Sequence, residues 1–252
     1  MKPEQSTTLS GGVVLTPHWL DGLYLSADWY SININKAIAT ISANIVVAQC
    51  AAGVQLYCNQ LVFAGPGGAL SQINTQPINA NSQAVSGLDL QGDYRTEFLA
   101  GAIDLHLVAN YTDQQTQTAQ GSTLYYAGSV GQDSTIRGVP KIKATLAATY
   151  MQGAWQGTVQ GRFIGAAKLN NAWGPLTVDD NSVPPVGYLD LRSSFRWSEN
   201  IQLYAAMDNV FNTAPPITAG TTNSLTPYDA SIRDDVYDAI GRQYRAGIRF
   251  NF

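Results

Sequence analysis

Along seven stretches of the chain every second residue is uncharged, and the residues between them carry the charge. One phase reads Leu23, Leu25, Ala27, Trp29; Leu88, Leu90, Gly92, Tyr94; Ile103, Leu105, Leu107, Ala109, Tyr111; Ile142, Ala144, Leu146, Ala148, Tyr150; Trp155, Gly157, Val159, Gly161, Phe163; Leu189, Leu191, Ser193, Phe195, Trp197; and Tyr244, Ala246, Ile248, Phe250, Phe252. The other phase holds Asp28, Asp89, Asp93, Asp104, Lys141, Lys143, Arg162, Asp190, Arg192, Arg196, Arg245 and Arg249. Segregation with a period of two marks strands with one dry and one wet face. Two weaker segments, 9–15 and 201–211, raise the expectation to about nine long strands.

The connections alternate in length. Short turns are expected at 17–21, 95–98, 151–154 and 198–200, and long connections at roughly 38–82, 112–137, 168–184 and 212–237. In an up-and-down meander every second connection emerges on the same side, so one rim carries tight turns and the other large loops, as in transmembrane barrels. Alternation alone also fits a soluble β-sandwich. Three features favour lipid. Gly and Ala are mixed with the aliphatics of the dry face, where an interdigitated core wants volume throughout. Aromatics stand at its ends: Tyr94, Tyr150, Trp155, Trp197 and Phe252 beside the short turns, Trp29, Tyr111, Phe163 and Tyr244 toward the loops. From Trp155 to Phe163, or Tyr244 to Phe252, a tilted strand spans roughly 20 Å, close to the height of a lipid-facing band between two aromatic girdles. The last strand also ends on the last residue, an aromatic. The pattern predicts an all-β, antiparallel, up-and-down transmembrane β-barrel wall with no soluble second domain.

Composition agrees. Only 13% of the residues are Asp, Glu, Lys or Arg, about half the share usual in a soluble domain. A net charge of −4 leaves no basic field for a phosphate backbone, which excludes nucleic acid as a partner. No stretch approaches the roughly 18 consecutive apolar residues of a membrane-crossing helix. Met1-Lys2-Pro3-Glu4-Gln5-Ser6 has no apolar core, so no signal peptide is read here. The expectation is a chain that stays in the cell or that is part of a longer product.

Arg245-Ala246-Gly247-Ile248-Arg249-Phe250-Asn251-Phe252 resembles the C-terminal assembly signal of bacterial outer-membrane proteins: polar Arg245, Gly247 two residues on, then the alternating aromatics Phe250 and Phe252. Lys2-Pro3-Glu4-Gln5-Ser6 resembles the start of a mid-barrel strand in TonB-dependent receptors. Ser86-Gly87-Leu88-Asp89 is similar to a recurrent strand start of that family, and Asp208-Asn209-Val210-Phe211-Asn212 to its Asn-Leu-Phe-Asp stretch with Val210 in place of Leu. Gly241-Arg242-Gln243-Tyr244 through Phe252 is similar to its terminal strand. In order and spacing these stretches cover nearly the whole chain.

The resemblance implies that residues 1–252 form the C-terminal part of such a barrel, about nine of its 22 strands, without the plug domain and the energy-coupling box of a complete receptor. It further implies active uptake of a scarce nutrient, such as a siderophore, cobalamin or an oligosaccharide, across the outer membrane of a Gram-negative bacterium. The implied partners are outer-membrane lipid, the barrel assembly machinery, a small-molecule nutrient and, through the absent plug, the TonB complex. A fragment of this kind is not expected to work alone. From a different class, a small autonomous β-barrel or soluble β-sandwich acting as an adhesin or carbohydrate-binding module fits the same alternation.

Cys50 and Cys58 lie in the longest loop. An even count in an exported loop points to a disulfide, and metal binding needs more ligands than are nearby, since His18 and His106 lie on other segments. His106 shares a wet face with Asp104 and Asn110, which leaves open a substrate or proton role and a plain solvated histidine. The loop aromatics Tyr57, Phe63, Trp173 and Tyr228 can stack on a sugar or siderophore ring or pack the loops against one another. The loop acids Asp179, Asp180, Asp229, Asp234, Asp235 and Asp238 lack EF-hand spacing. No nucleophile elbow, P-loop or zinc motif occurs, so no catalytic residue, cofactor or metal ligand is predicted.

Overall fold

The computed structural model describes residues 3–40, 43–65, 67–75, 77–119, 122–131, 138–218 and 232–250. The elements run β1 (Gln5–Leu15), β2 (Leu23–Thr40), α1 (Ala43–Ala51), α2 (Gln55–Cys58), β3 (Leu61–Phe63), β4 (Leu70–Ile73), β5 (Pro77–Phe98), β6 (Gly101–Ala119) and β7 (Ser122–Tyr125), then β8 (Ile142–Gln152), β9 (Trp155–Ile164), β10 (Ala167–Lys168), β11 (Ser182–Val183), β12 (Val186–Arg196), β13 (Ile201–Asp208) and β14 (Gln243–Phe250). One sheet takes the nine long strands in the order β1-β2-β5-β6-β8-β9-β12-β13-β14, with β7 attached to β6. Strands adjacent in the sheet follow each other along the chain, which is the expected meander. β1 and β14 are its outer strands, and among the described residues neither has a second partner.

The register carries each phase straight across the wall. Leu105 faces Ala148, which faces Val159, then Leu191, Met207 and Tyr244. One pleat away Asp104, Thr149, Thr158, Arg192, Ala206 and Arg245 form the corresponding row of the opposite face. A slip of one residue would exchange the two faces, so the segregation of charge itself fixes the pairing. The dry face is left uncovered: Leu146 is 51%, Val159 47% and Ile248 56% exposed. Apolar side chains bared in continuous rows across a sheet suit a face turned to lipid, not a packed core. Tyr150 and Trp155 meet at 5.9 Å and Phe98 and Tyr150 at 6.5 Å, which places an aromatic cluster at the short-turn rim. No helix of the described residues is long and apolar enough to cross a membrane.

Two details of the sequence reading are corrected. The turn expected at 95–98 lies at Leu99 and Ala100, because β5 continues through Phe98 and Leu99 takes the left-handed φ of 54° itself. The connections expected at 38–82 and 112–137 are shorter than alternation implied: β2 runs to Thr40, β5 begins at Pro77 and β6 runs to Ala119. Beyond the apolar band both faces are polar, as in Thr112-Asp113-Gln114-Gln115-Thr116, so period two loses its signal while backbone pairing persists. At the opposite rim Gly22, with φ of 81°, lies under the Arg95 carbonyl, where a Cβ would collide.

The chain divides into two compact units, one of Met1–Thr8, Ile32–Ala84 and Gln117–Leu124, the other of Leu9–Ser31, Val85–Thr116 and Tyr125–Phe252. In the first, α1, α2 and the β3–β4 hairpin enclose Val46 and Tyr57 together with Cys50, Leu61 and Ile73. Cys50 and Cys58 are joined in a disulfide that ties α1 to α2. In the second, Ile164, Val186 and Tyr188 on the wet phase of β9 and β12 pack with Val130, Leu169, Val183 and Tyr237, so loop segments close over the wet face near its loop rim.

Candidate functional site

The wet face of β9, β12, β13 and β14 carries a continuous strip of paired charges. Asp190, 2% exposed, accepts Arg162 Nε at 2.7 Å and Nη2 at 2.9 Å, the Asn209 backbone N–H at 2.9 Å and Gln160 Nε2 at 3.3 Å. Arg162 Nη2 also donates to Asp238 at 3.3 Å, and the guanidinium lies 4.9 Å over the Tyr188 ring. The Asp238 backbone N–H in turn donates to the Tyr188 hydroxyl at 3.2 Å, which fastens the loop before β14 to the wall. Arg192 Nη1 donates to Gln160 Oε1 at 3.0 Å and lies 3.9 Å from Asp208, and Asp208 pairs with Arg245. Burying a carboxylate is costly unless donors saturate it, and Asp190 has four.

Asn209 explains why the Asp208-Asn209-Val210-Phe211-Asn212 stretch matters structurally. It is fully buried with φ of 52°, a conformation Asn tolerates better than most residues. Its side chain closes a turn by accepting Thr213 N–H at 2.8 Å and donating to the Thr213 carbonyl at 3.0 Å.

The sequence-nominated residues are scattered. His106 stands on the wet face of β6 with Nδ1 2.5 Å from Asp93 Oδ1, and Asn110 donates to Asp89 at 2.7 Å and to Tyr30 at 3.3 Å. Tyr57 is 2% exposed and packs inside its loop unit, whereas Phe63 is 53% exposed. Trp173 packs against the Tyr188–Tyr237 core. Tyr228 and Phe252 lie outside the described residues. Arg245, Gly247 and Phe250 sit on β14, with the Tyr204 ring lying across Gly247 on the wet face.

Of the loop acids, Asp180, Asp235 and Asp238 bond within the protein itself, and Asp229 lies outside the described residues. Asp180 accepts Ser182 Oγ at 2.6 Å and Ser182 N–H at 2.8 Å, bonds that hold its carboxyl below the usual carboxylate range. Asp235 pairs with Arg233, which is itself buried and donates to the Gly131 carbonyl at 2.9 Å. Burial pushes the Tyr237 phenol up to about 12, with the neighbouring Tyr188 adding to the shift. Among the described residues no three His, Cys, Asp or Glu side chains are placed to hold a metal ion. A concavity of about 930 Å³ lies along the dry face between Trp155, Val159, Leu191 and Tyr244, over the small residues Gly157, Ser193, Ala205 and Ala246. It is not a site of the wet face.

Sequence reasoning missed the partners of Asp190 and His106. Arg162 and Asp190 share the wet phase, but only the β9–β12 register, with Gln160 opposite Asp190, brings them together. Counting outward from the turn at Leu99 and Ala100 brings Asp93 opposite His106, a pairing hidden by placing that turn at 95–98.

Comparison with known proteins agrees with this geometry. A mutant of the ferric enterobactin receptor PfeA of Pseudomonas aeruginosa, in complex with enterobactin, superposes with a TM-score of 0.66 at 14% identity over 99% of this chain and 32% of that one. The copper transporter OprC gives 0.59 at 18% identity over 100% and 32%. The iron transporter FrpB of Neisseria meningitidis gives 0.58 at 13% identity over 100% and 31%. The chain thus spans about a third of the length of these structures. Among curated proteins, none matches it in sequence. The family model described as TonB dependent receptor-like, beta-barrel, matches residues 1–210, and the chain belongs to that family.

Proposed function

We propose that residues 1–252 are one wall segment of an outer-membrane active transporter of a Gram-negative bacterium, a transporter and not an enzyme. The family match along residues 1–210 carries this reading, and the dry and wet faces supply its physical side: one face for lipid, the other for an aqueous lumen. The substrate class supported best is a metal chelate of the siderophore type, because the similar structures include a ferric enterobactin receptor, a copper transporter and an iron transporter. Cobalamin or an oligosaccharide is the alternative cargo. Energy comes from the TonB complex through a plug domain. The wall acts as scaffold and vestibule, and the C-terminal sequence carrying Arg245, Gly247, Phe250 and Phe252 is the signal read by the barrel assembly machinery.

The test is uptake of labelled ferric chelates by iron-limited cells, with the gene intact and deleted. Loss of energy-dependent uptake of one chelate on deletion, restored by the gene, is the expected result. Unchanged uptake of every iron and copper chelate, cobalamin and oligosaccharide tried would overturn the proposal.

A further inference from the structure

Residues 37–88 contain no Asp, Glu, Lys, Arg or His, although 13% of the whole chain is charged. Inside this stretch lies the small unit of α1, α2 and the β3–β4 hairpin, whose core has two buried hydrophobic residues, Val46 and Tyr57. Its helix α1 is built inside out. Among the described positions of α1 the exposed ones with Val47, namely Ala48 and Ala51, lie on one face by their spacing and are all apolar, whereas the polar Gln49 is half-buried. A surface helix normally shows the reverse, with its polar residues outward.

The hairpin repeats the pattern. Leu61 pairs with Ile73, and both pack on the Val46–Tyr57 core. Phe63, two residues on and therefore on the same face, pairs with Leu70 beyond that cover. Val47, Leu70, Phe63 and Leu56 are between 40% and 55% exposed. Together they bare roughly 400 Å² of apolar surface, close to the apolar share of one side, about 800 Å², of a standard protein interface.

The chemistry of this surface selects its partner. Its exposed polar groups bond one another: Gln55 Nε2 donates to Asn59 Oδ1 at 3.2 Å, Gln72 Nε2 to Asn74 Oδ1 at 2.6 Å, and Ser71 Oγ to the Val62 carbonyl at 2.9 Å. A small ligand is held by polar groups aimed at it, and these are aimed at each other. A foreign protein is chosen largely through complementary charge, which residues 37–88 do not offer. An uncharged apolar surface is complementary to itself, as a two-fold interface requires. Two chains of net charge −4 repel where their charged parts approach, and along this stretch they meet without that cost.

We propose that this disulfide-tied unit docks on a second copy of the chain, with Val47, Leu56, Phe63 and Leu70 at the contact.

The full gene product in detergent is followed by analytical ultracentrifugation from nanomolar to micromolar concentration, as the parent, Val47→Glu, Phe63→Glu and the loop control Thr177→Glu. The parent is expected to dimerise. Val47→Glu and Phe63→Glu should each raise the dimer dissociation constant at least about tenfold, because a two-fold axis brings an uncompensated carboxylate from both copies into an apolar contact. The control should match the parent. A photo-activatable benzophenone residue at Leu56, in cells and on the otherwise unchanged chain, reads the same contact without either charge, and a product of twice the chain's mass is expected. A parent that stays monomeric throughout would overturn the proposal, and so would Glu variants that dimerise like the control. Cross-linking from Leu56 to a different protein or to lipid, with no double-mass product, overturns it as well, whether or not a Glu variant folds.

Discussion

Arg162 reaches Asp190 diagonally from β9 to β12 and holds it with two parallel hydrogen bonds, Nε to Oδ2 at 2.7 Å and Nη2 to Oδ1 at 2.9 Å. Because the carboxylate is almost wholly enclosed, this pair is unlike the solvated ion pairs of a protein surface. Asp190→Ala strands both the guanidinium and the Asn209 N–H, and breaking a buried pair of this kind costs about 3–5 kcal/mol. Arg162 keeps Asp238 and some solvent, so the lower end is expected. Equilibrium unfolding in urea from lipid vesicles measures it; a loss below about 1 kcal/mol would rank the pair with exposed ones.

Arginine scanning separates the two faces. At Leu146 or Val159 an arginine must enter hydrocarbon, at about 2–4 kcal/mol near the bilayer midplane, whereas at Thr145 or Gln160 it joins the wet face at little cost. Spin labels at Leu105, Leu191 and Ile248 should likewise collide with oxygen more often than labels at Asp104, Asp190 and Arg249. Equal values for the two sets would refute the assignment of faces.

Reduction of Cys50–Cys58 opens a nine-residue ring, whose closure contributes roughly 2.5 kcal/mol to its loop by the chain-entropy estimate. Proteolysis between α1 and β3 should accelerate on reduction while the strand signal in circular dichroism stays unchanged. Identical cleavage rates would show that the Val46–Tyr57 core holds the loop by itself.

The Tyr237 phenol, pushed up to about 12, binds its proton more tightly folded than unfolded, where a tyrosine titrates near 10. Its contribution to stability is therefore complete below about pH 10 and is lost as the pH rises through 12. Stability measured across that range should fall less steeply in Tyr237→Phe than in the parent protein. Parallel curves would mean that the phenol titrates as if exposed.

Asn209 combines a left-handed backbone with a side chain that closes its own turn, so two substitutions divide the roles. Asn209→Gly relieves the backbone but loses the bonds to Thr213; Asn209→Ala loses both, and removing a buried hydrogen-bonding group costs about 1–3 kcal/mol. The alanine variant should be the less stable in thermal unfolding. The reverse order would show that the left-handed backbone at this position costs an alanine little.

The wall was legible because lipid and water impose opposite demands on alternate residues: Leu146 and Thr145 differ in solvent, and the chain records that difference directly. The turn after β5 was not, since Arg95-Thr96-Glu97 looks polar enough for a turn while Leu99 accepts the strained conformation. The extra strand length of β6 past Thr112 was hidden for the opposite reason, that water on both faces leaves no contrast. Tyr57 and Trp173 could be recognised as loop aromatics, but whether such a ring is covered depends on contacts with residues far away in sequence. Asp190 shows the same limit, because its donors come from Gln160 and Arg162 on β9 and from the Asn209 backbone just past β13.

The strip from Arg245 to Asp238 contains three guanidiniums, of Arg162, Arg192 and Arg245, and three carboxylates, of Asp190, Asp208 and Asp238. Its monopole is zero, and what remains is a set of short, opposed dipoles whose potential decays within a few ångströms, well inside the screening length of about 8 Å at physiological salt. A charged solute moving along this part of the wall is neither trapped by it nor repelled. Such a surface is electrically silent at range.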